Sequence, residues 1–186
     1  MNGATPGFRL ERRLLGVNRV SGLVHDRFGR LHLTFSGLIE ARLEEGALTM
    51  TQELNYSDGR IDRRYWCIRT EGAHGYRGST SDFVGKVIGT AQGNAVNLRY
   101  KLILPIAGGL RRVSFDDWMY LQPDGLILDH AVLRIWGIRV GTVSAAIAPV
   151  HHPEDRLSAL FGGHDQTLSS GSSNRIRCAA PSMSSY

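Results

Sequence analysis

The chain has 186 residues, 42% of them hydrophobic and 21% charged, a length and balance that fit one globular domain with a sizeable core and exclude a disordered or fibrous chain. No run approaches the ~18 apolar residues of a membrane helix. The net charge of +5 comes almost wholly from arginine, since Lys86 and Lys101 are the only lysines; because these arginines are dispersed rather than clustered, no nucleic-acid partner is expected.

Residues 1–7 carry no patterning and are expected to be flexible. Met1-Asn2-Gly3-Ala4-Thr5-Pro6 has no apolar stretch after a basic start, so neither a secretory nor a lipoprotein signal is expected and a cytoplasmic location is predicted. From Gly22 onward, short runs rich in Val, Ile, Leu, Tyr and Trp alternate with turn signals, the pattern of an all-β meander. Turns are expected at Glu45-Gly46, Ser57-Asp58-Gly59, Glu71-Gly72, from Gly89 to Gly93, from Pro105 to Gly109, at Pro123-Asp124-Gly125 and at Gly137. Asp-Gly and Pro-Asp-Gly supply the positive φ and the preset proline φ that tight connections need.

Several runs alternate with period two, which places every second side chain on one face of a sheet. Leu48, Met50, Leu54 and Tyr56 lie opposite Thr49, Thr51, Glu53 and Asn55. Val96, Leu98, Tyr100, Leu102 and Leu104 alternate with Asn97, Arg99, Lys101 and Ile103. Val113, Phe115, Met119 and Leu121 share one face, and Arg112, Ser114, Asp116, Trp118 and Tyr120 the other. No stretch before residue 149 holds a helical period. Residues 8–148 are therefore predicted to form an all-β, antiparallel, lipocalin-like barrel, with a β-sandwich as the alternative because both use the same alternation. Residues 149–186 read as a low-complexity tail, expected to be disordered apart from one short helix around Leu157, Leu160 and Phe161.

A series of short motifs adds to this pattern. Asp26-Arg27-Phe28-Gly29, Leu48-Thr49-Met50 running into Tyr56-Ser57-Asp58-Gly59, Arg64-Tyr65-Trp66, Asp82-Phe83-Val84-Gly85, Gly93-Asn94-Ala95, Tyr100-Lys101-Leu102 and Phe115-Asp116-Asp117-Trp118-Met119 occur in this order. With these motifs the chain, from Phe8 to Val143, resembles the bacterial family catalogued as domain of unknown function 3833, whose members have no established biochemical activity. Asp58, Gly59, Gly85, Gly93, Asn94, Asp116 and Trp118 are the motif residues assigned a structural role. The chain departs from the family at three points. The lipoprotein signal of many relatives is not expected here, Gln52 stands where relatives usually carry glutamate, and Asp129-His130 stands where Asn-Arg is usual. The two substitutions imply one carboxylate and one guanidinium fewer in any shared site.

With the apolar faces turned inward, Gln52, Tyr56, Arg64, Trp66, Tyr100 and Asp117 also face the interior, a mostly apolar pocket with a few polar groups to orient a ligand. The competing expectation is that Arg64 and Asp117 simply pair, since a buried charge must be compensated. Adjacent strand residues point to opposite faces, so Asp116 and Asp117 cannot act as a carboxylate dyad, and replacement of the family's glutamate by Gln52 removes a second inward carboxylate. The stretch from Gly85 to Asn94 superficially resembles a phosphate-binding loop, but Lys86 precedes a β-rich stretch, so a bulged strand and tight corner are expected, with Asn94 adopting positive φ or capping the corner. No histidine falls into a metal pattern, and no metal or cofactor is expected. Cys67 is read as a small core residue, and no structural disulfide with Cys178 is expected.

Three readings remain open: a non-catalytic barrel that binds a lipid or fatty-acid-like molecule, with Leu54, Trp66, Leu98 and Phe115 as apolar walls and Arg64 meeting the head group; an enzyme of lipid modification using Tyr56 and Asp117 for proton transfer; and a filled barrel serving as an interaction module. The sequence leaves the oligomeric state open.

Overall fold

The computed structural model describes residues 7–81, 85–106 and 108–150. The N-terminal six residues, the serine-rich tail and the short helix expected in it lie outside the described residues. A single helical turn, α1 (Leu10–Arg13), precedes ten strands: β1 (Gly16–Asp26), β2 (Leu31–Glu44), β3 (Ala47–Tyr56), β4 (Ile61–Glu71), β5 (Gly75–Thr80), β6 (Val87–Gln92), β7 (Ala95–Ile106), β8 (Gly109–Leu121), β9 (Ile127–Ile135) and β10 (Ile138–Pro149). Each strand pairs antiparallel with the next, and β1 pairs with β10, so the meander closes into a barrel. A sandwich is ruled out, because closure leaves no sheet edge unpaired.

Up-and-down topology sorts the connections into two sets. Those after β1, β3, β5, β7 and β9 lie at one end, termed the mouth. Those after β2, β4, β6 and β8 lie at the other end together with α1, and this end is the floor. The floor is closed by α1. Phe8, Leu10 and Leu14 are buried there, the Phe8 N–H donates to Gly93 O at 2.8 Å, and the Arg13 guanidinium donates to Gly125 O. The Leu10 N–H donates to Tyr76 Oη at 3.2 Å, and the Tyr76 hydroxyl donates onward to Glu11 Oε2 at 2.8 Å. Burial and the Glu11 carboxylate push the Tyr76 phenol up to about 12, so it keeps the proton it donates. The expectation of no helix before residue 149 fails here, because one turn is too short to show a period.

The alternating runs mostly take the predicted faces, except that Asn97, expected outward, is buried and Ile103 lines the cavity. On β3, β7 and β8, Leu48, Leu54, Val96, Leu98, Leu102, Val113, Phe115 and Met119 are all buried. The motif residues shape turns and the outer wall. Asp58 accepts from the Arg60 N–H at 3.2 Å and from Arg60 Nε at 2.7 Å across the β3–β4 turn, where Gly59 has φ +85°. Asn94 caps its corner, donating through Nδ2 to Leu121 O at 3.1 Å, while Gly93 takes the positive φ of +57°. Gly85, at φ +96°, and Lys86 lead directly into β6, so the stretch is a strand entry rather than a phosphate loop. Asp116 faces outward and accepts from Asn97 Nδ2 at 2.8 Å; Trp118, also outward, stacks on Tyr120.

Three local expectations need correction. Gly89 is not in a turn but inside β6 opposite Leu98, where a Cβ would fall 2.3 Å from Leu98 Cδ2; the glycine is there for close packing. Pro105 lies within β7, opposite Leu110, leaving only residues 107 and 108 to connect β7 to β8. Cys67 is neither in the core nor a free thiol. It is half-buried, alternates with the inward Trp66 and Ile68, and is disulfide-bonded; Cys178 lies outside the described residues.

Candidate functional site

The barrel interior is not filled. A cavity of about 690 Å³ rises from Leu10 and Leu14 at the floor to His25, His32, Arg60 and Ile61 at the mouth. Gln52, Tyr56, Arg64, Trp66, Tyr100 and Asp117 all line it, as do Leu54, Leu98 and Phe115. Period two explains the convergence, since each of these residues has the inward parity of its strand, and register places Gln52 opposite Arg64, Tyr100 opposite Phe115 and Leu98 opposite Asp117. An aromatic band spans part of the wall. Tyr100 stacks on Phe115 with centroids 4.9 Å apart and meets Trp66 edge-on at 5.0 Å.

The polar side chains fall into two groups. Toward the mouth, Arg64 is 8% exposed and its guanidinium pairs with Asp62, two residues away on the same inward face of β4. This overturns the expected Arg64–Asp117 pair, because Asp62 shares Arg64's strand and face and is the nearer acid. Tyr56 lies beside Arg64; burial raises its phenol pKa, and the guanidinium partly offsets that. Trp66 Nε1 donates to Gln52 Oε1 at 3.2 Å, which fixes the indole against the wall.

Deeper in the barrel, the Tyr100 hydroxyl donates to Asp117 Oδ2 at 2.9 Å. Asp129, from β9, is, like Asp62, a cavity-lining acid that the sequence reading missed. Met119 pairs with Asp129 and Asp117 with Ala131, so the two carboxyls are diagonal neighbours on the inner face and influence each other's ionisation. No N–H or O–H of the described residues reaches Asp117 Oδ1 or Asp129 Oδ1. Like charges brought close in a buried site disfavour ionisation of both, so the pair favours retaining a proton. Burial first, then the charge of Asp117, raises Asp129 well above the usual carboxylate range; burial also raises Asp117. Tyr100 is raised by burial and by Asp117. The interior thus holds Asp62 and Asp129 beside Asp117 despite Gln52. The signal was available: Ile127, Asp129, Ala131 and Leu133 alternate on one face.

This pair predicts a pH dependence. The unfolded Asp129 carboxyl titrates near its ordinary value of 3.8. Between that value and the raised native pKa, the unfolded chain has released a proton that the folded chain keeps. The stability contributed is therefore full below pH 3.8 and falls as pH rises toward the native pKa, by up to about 1.4 kcal/mol per pH unit. Asp129→Asn should flatten that fall, as read by urea unfolding across the acidic range. An unchanged slope would mean that Asp129 ionises normally.

The comparisons with known proteins follow this geometry. No curated protein matches the chain. Among solved structures, the S-type phycobiliprotein lyase CPES from Guillardia theta superposes with a TM-score of 0.59 at 11% identity, over 77% of this chain and 92% of that one. A protein of unknown function from the DUF3598 family of Nostoc punctiforme gives a TM-score of 0.55 at 17% identity, over 78% of this chain and 50% of that one. At these identities the likeness shows the fold. A family model described as "Protein of unknown function (DUF3833)" matches residues 1–148, and the chain belongs to that family.

Proposed function

We propose that the barrel binds a single-chain amphipathic molecule of fatty-acid or lipid-like type. The observation that carries this reading is the cavity of about 690 Å³, apolar along most of its wall and supplied with two polar groups at different depths. Pockets for small ligands have this size and makeup. An acyl chain would lie along Leu54, Trp66, Leu98 and Phe115. Its anionic head would meet the Arg64 and Tyr56 group near the mouth, where a guanidinium makes charge-assisted hydrogen bonds.

The buried carboxyl pair favours a second reading, proton transfer to a lipid-like substrate. Tyr56 and Asp117 sit in separate groups, so the acid in that reading is the Asp117–Asp129 pair, with Tyr100 fixing Asp117. A buried carboxyl that retains its proton is a hydrogen-bond donor to a ligand oxygen in either reading.

The test is displacement of a fluorescent fatty-acid analogue by an unlabelled fatty acid and by the corresponding alcohol. Arg64→Gln should weaken the acid by roughly tenfold or more and the alcohol little, because only the acid uses the charge. Equal weakening of both would remove Arg64 as the head-group contact. Failure of wild type to bind either would sink the proposal itself.

A further inference from the structure

The outer surface of the mouth differs from the rest of the barrel. The six most exposed large hydrophobic residues among the described residues are Trp136 (90%), Leu110 (71%), Phe28 (70%), Ile61, Ile138 and Leu31. All six lie on or beside the mouth connections: Phe28 and Leu31 around the β1–β2 turn, Ile61 after the β3–β4 turn, Leu110 at the start of β8, and Trp136 and Ile138 around the β9–β10 turn. They come from four separate hairpins, so no local sequence bias gathers them. Closing the barrel does.

Cations are interleaved with this ring. Arg27, Arg30, Arg60, Lys86, Arg111, Arg112 and Arg139 are exposed at the same end. Arg27 lies over the Phe28 ring at 4.5 Å. The acids described there are already engaged: Asp26 accepts from the backbone N–H groups of Phe28 and Arg30, Asp58 pairs with Arg60, and Asp62 pairs with Arg64. Trp136 is held out at φ +50°, a left-handed conformation that a bulky residue adopts at a cost, and the following Gly137 completes the turn.

We infer that the mouth docks on the surface of an anionic lipid bilayer, with Trp136, Leu110 and Phe28 entering the interface and the surrounding arginines meeting lipid phosphates. No helix among the described residues is long and apolar enough to cross a membrane, and the contact needs none. Exposed apolar tips flanked by cations are the chemistry that a headgroup region accepts, and tryptophan favours that depth. A folded protein partner would more often meet a flat or grooved patch than a ring of isolated tips around an opening. The docked mouth opens the cavity directly onto the bilayer. The docking itself stands on the outer rim alone and does not require the cavity to bind a lipid.

The test is co-sedimentation of the full chain with vesicles of phosphatidylcholine alone or of phosphatidylcholine with phosphatidylglycerol. Binding should require phosphatidylglycerol and weaken with salt. The double variant Trp136→Asn/Leu110→Ser should lose roughly tenfold or more of the partitioning; asparagine is chosen because it accepts the left-handed backbone at position 136. Arg111→Glu/Arg112→Glu should lose a similar factor at low salt. Trp118→Ser, on the outer wall away from the mouth, should leave partitioning unchanged, and each variant's unfolding transition shows that it has folded. No vesicle binding by wild type, full binding by the Trp136→Asn/Leu110→Ser variant, or a mouth-dependent dimer in place of vesicle binding would each overturn the inference. Fatty-acid displacement in free solution is read separately, so loss of one result leaves the other standing.

Discussion

Gly37→Ala is expected to prevent folding or to destabilise the barrel by about 3 kcal/mol or more. Gly37 lies in β2 opposite Leu54 of β3. A Cβ there would fall 1.8 Å from Glu53 O and 2.9 Å from Glu53 C. Both contacts are to backbone, so no rotamer change relieves them. In an open sheet the β2–β3 pair could splay. In a closed barrel, displacing β3 also strains its pairing with β4, and the strain passes round the ring. Gly59→Ala provides the comparison. Its Cβ would meet nothing within 4 Å, and only its φ of +85° resists substitution, so a loss of about 1 kcal/mol is expected. Urea unfolding of the two variants beside wild type reads the difference. A Gly37→Ala barrel as stable as Gly59→Ala would mean that β2 and β3 do not approach as closely as described.

Ala145→Trp is expected to abolish ligand binding, by roughly a hundredfold or more, without unfolding the barrel. Ala145 lies opposite Gly22 of β1 and Asp129 of β9 and lines the cavity. Its side chain is only half-buried although it faces inward, packed against the core on one side and bordering the cavity on the other, so an indole can extend into the cavity. Filling that space removes the room an acyl chain would occupy beside the carboxyl pair. The readouts are fatty-acid displacement and far-UV circular dichroism. Retained affinity in a folded Ala145→Trp variant would place the ligand outside the barrel. Loss of the circular dichroism signal would call for the same test at Val143, which lines the same cavity.

The parts of this structure that repeat were readable from the sequence. Strand alternation at Leu98 and Tyr100, or at Phe115 and Met119, depends only on the pleat, and it placed these side chains on the cavity wall, with Leu102 and Val113 buried on the same faces. What escaped depends on contacts between distant segments. The single turn of α1 owes its place to Tyr76, 66 residues away, and to Gly93. Gly89 looks like a turn residue until Leu98 is set against it. Arg64 and Asp62 could have been matched on parity alone, but attention to buried charge favoured Asp117. Asp129 is readable from the alternation of Ile127, Asp129, Ala131 and Leu133, which gives it the inward parity of β9. The ring of apolar tips at the mouth has no signature along the chain, since its members are brought together only by closure.

The most direct measurement is native mass spectrometry of the gently purified full chain, followed by solvent extraction of whatever the protein releases. A stoichiometric lipid-like mass carried by wild type and absent from Ala145→Trp is the expected result, and its identity would name the ligand class. A clean apo mass for wild type, unchanged after incubation with a cellular lipid extract, would contradict a lipid-binding interior.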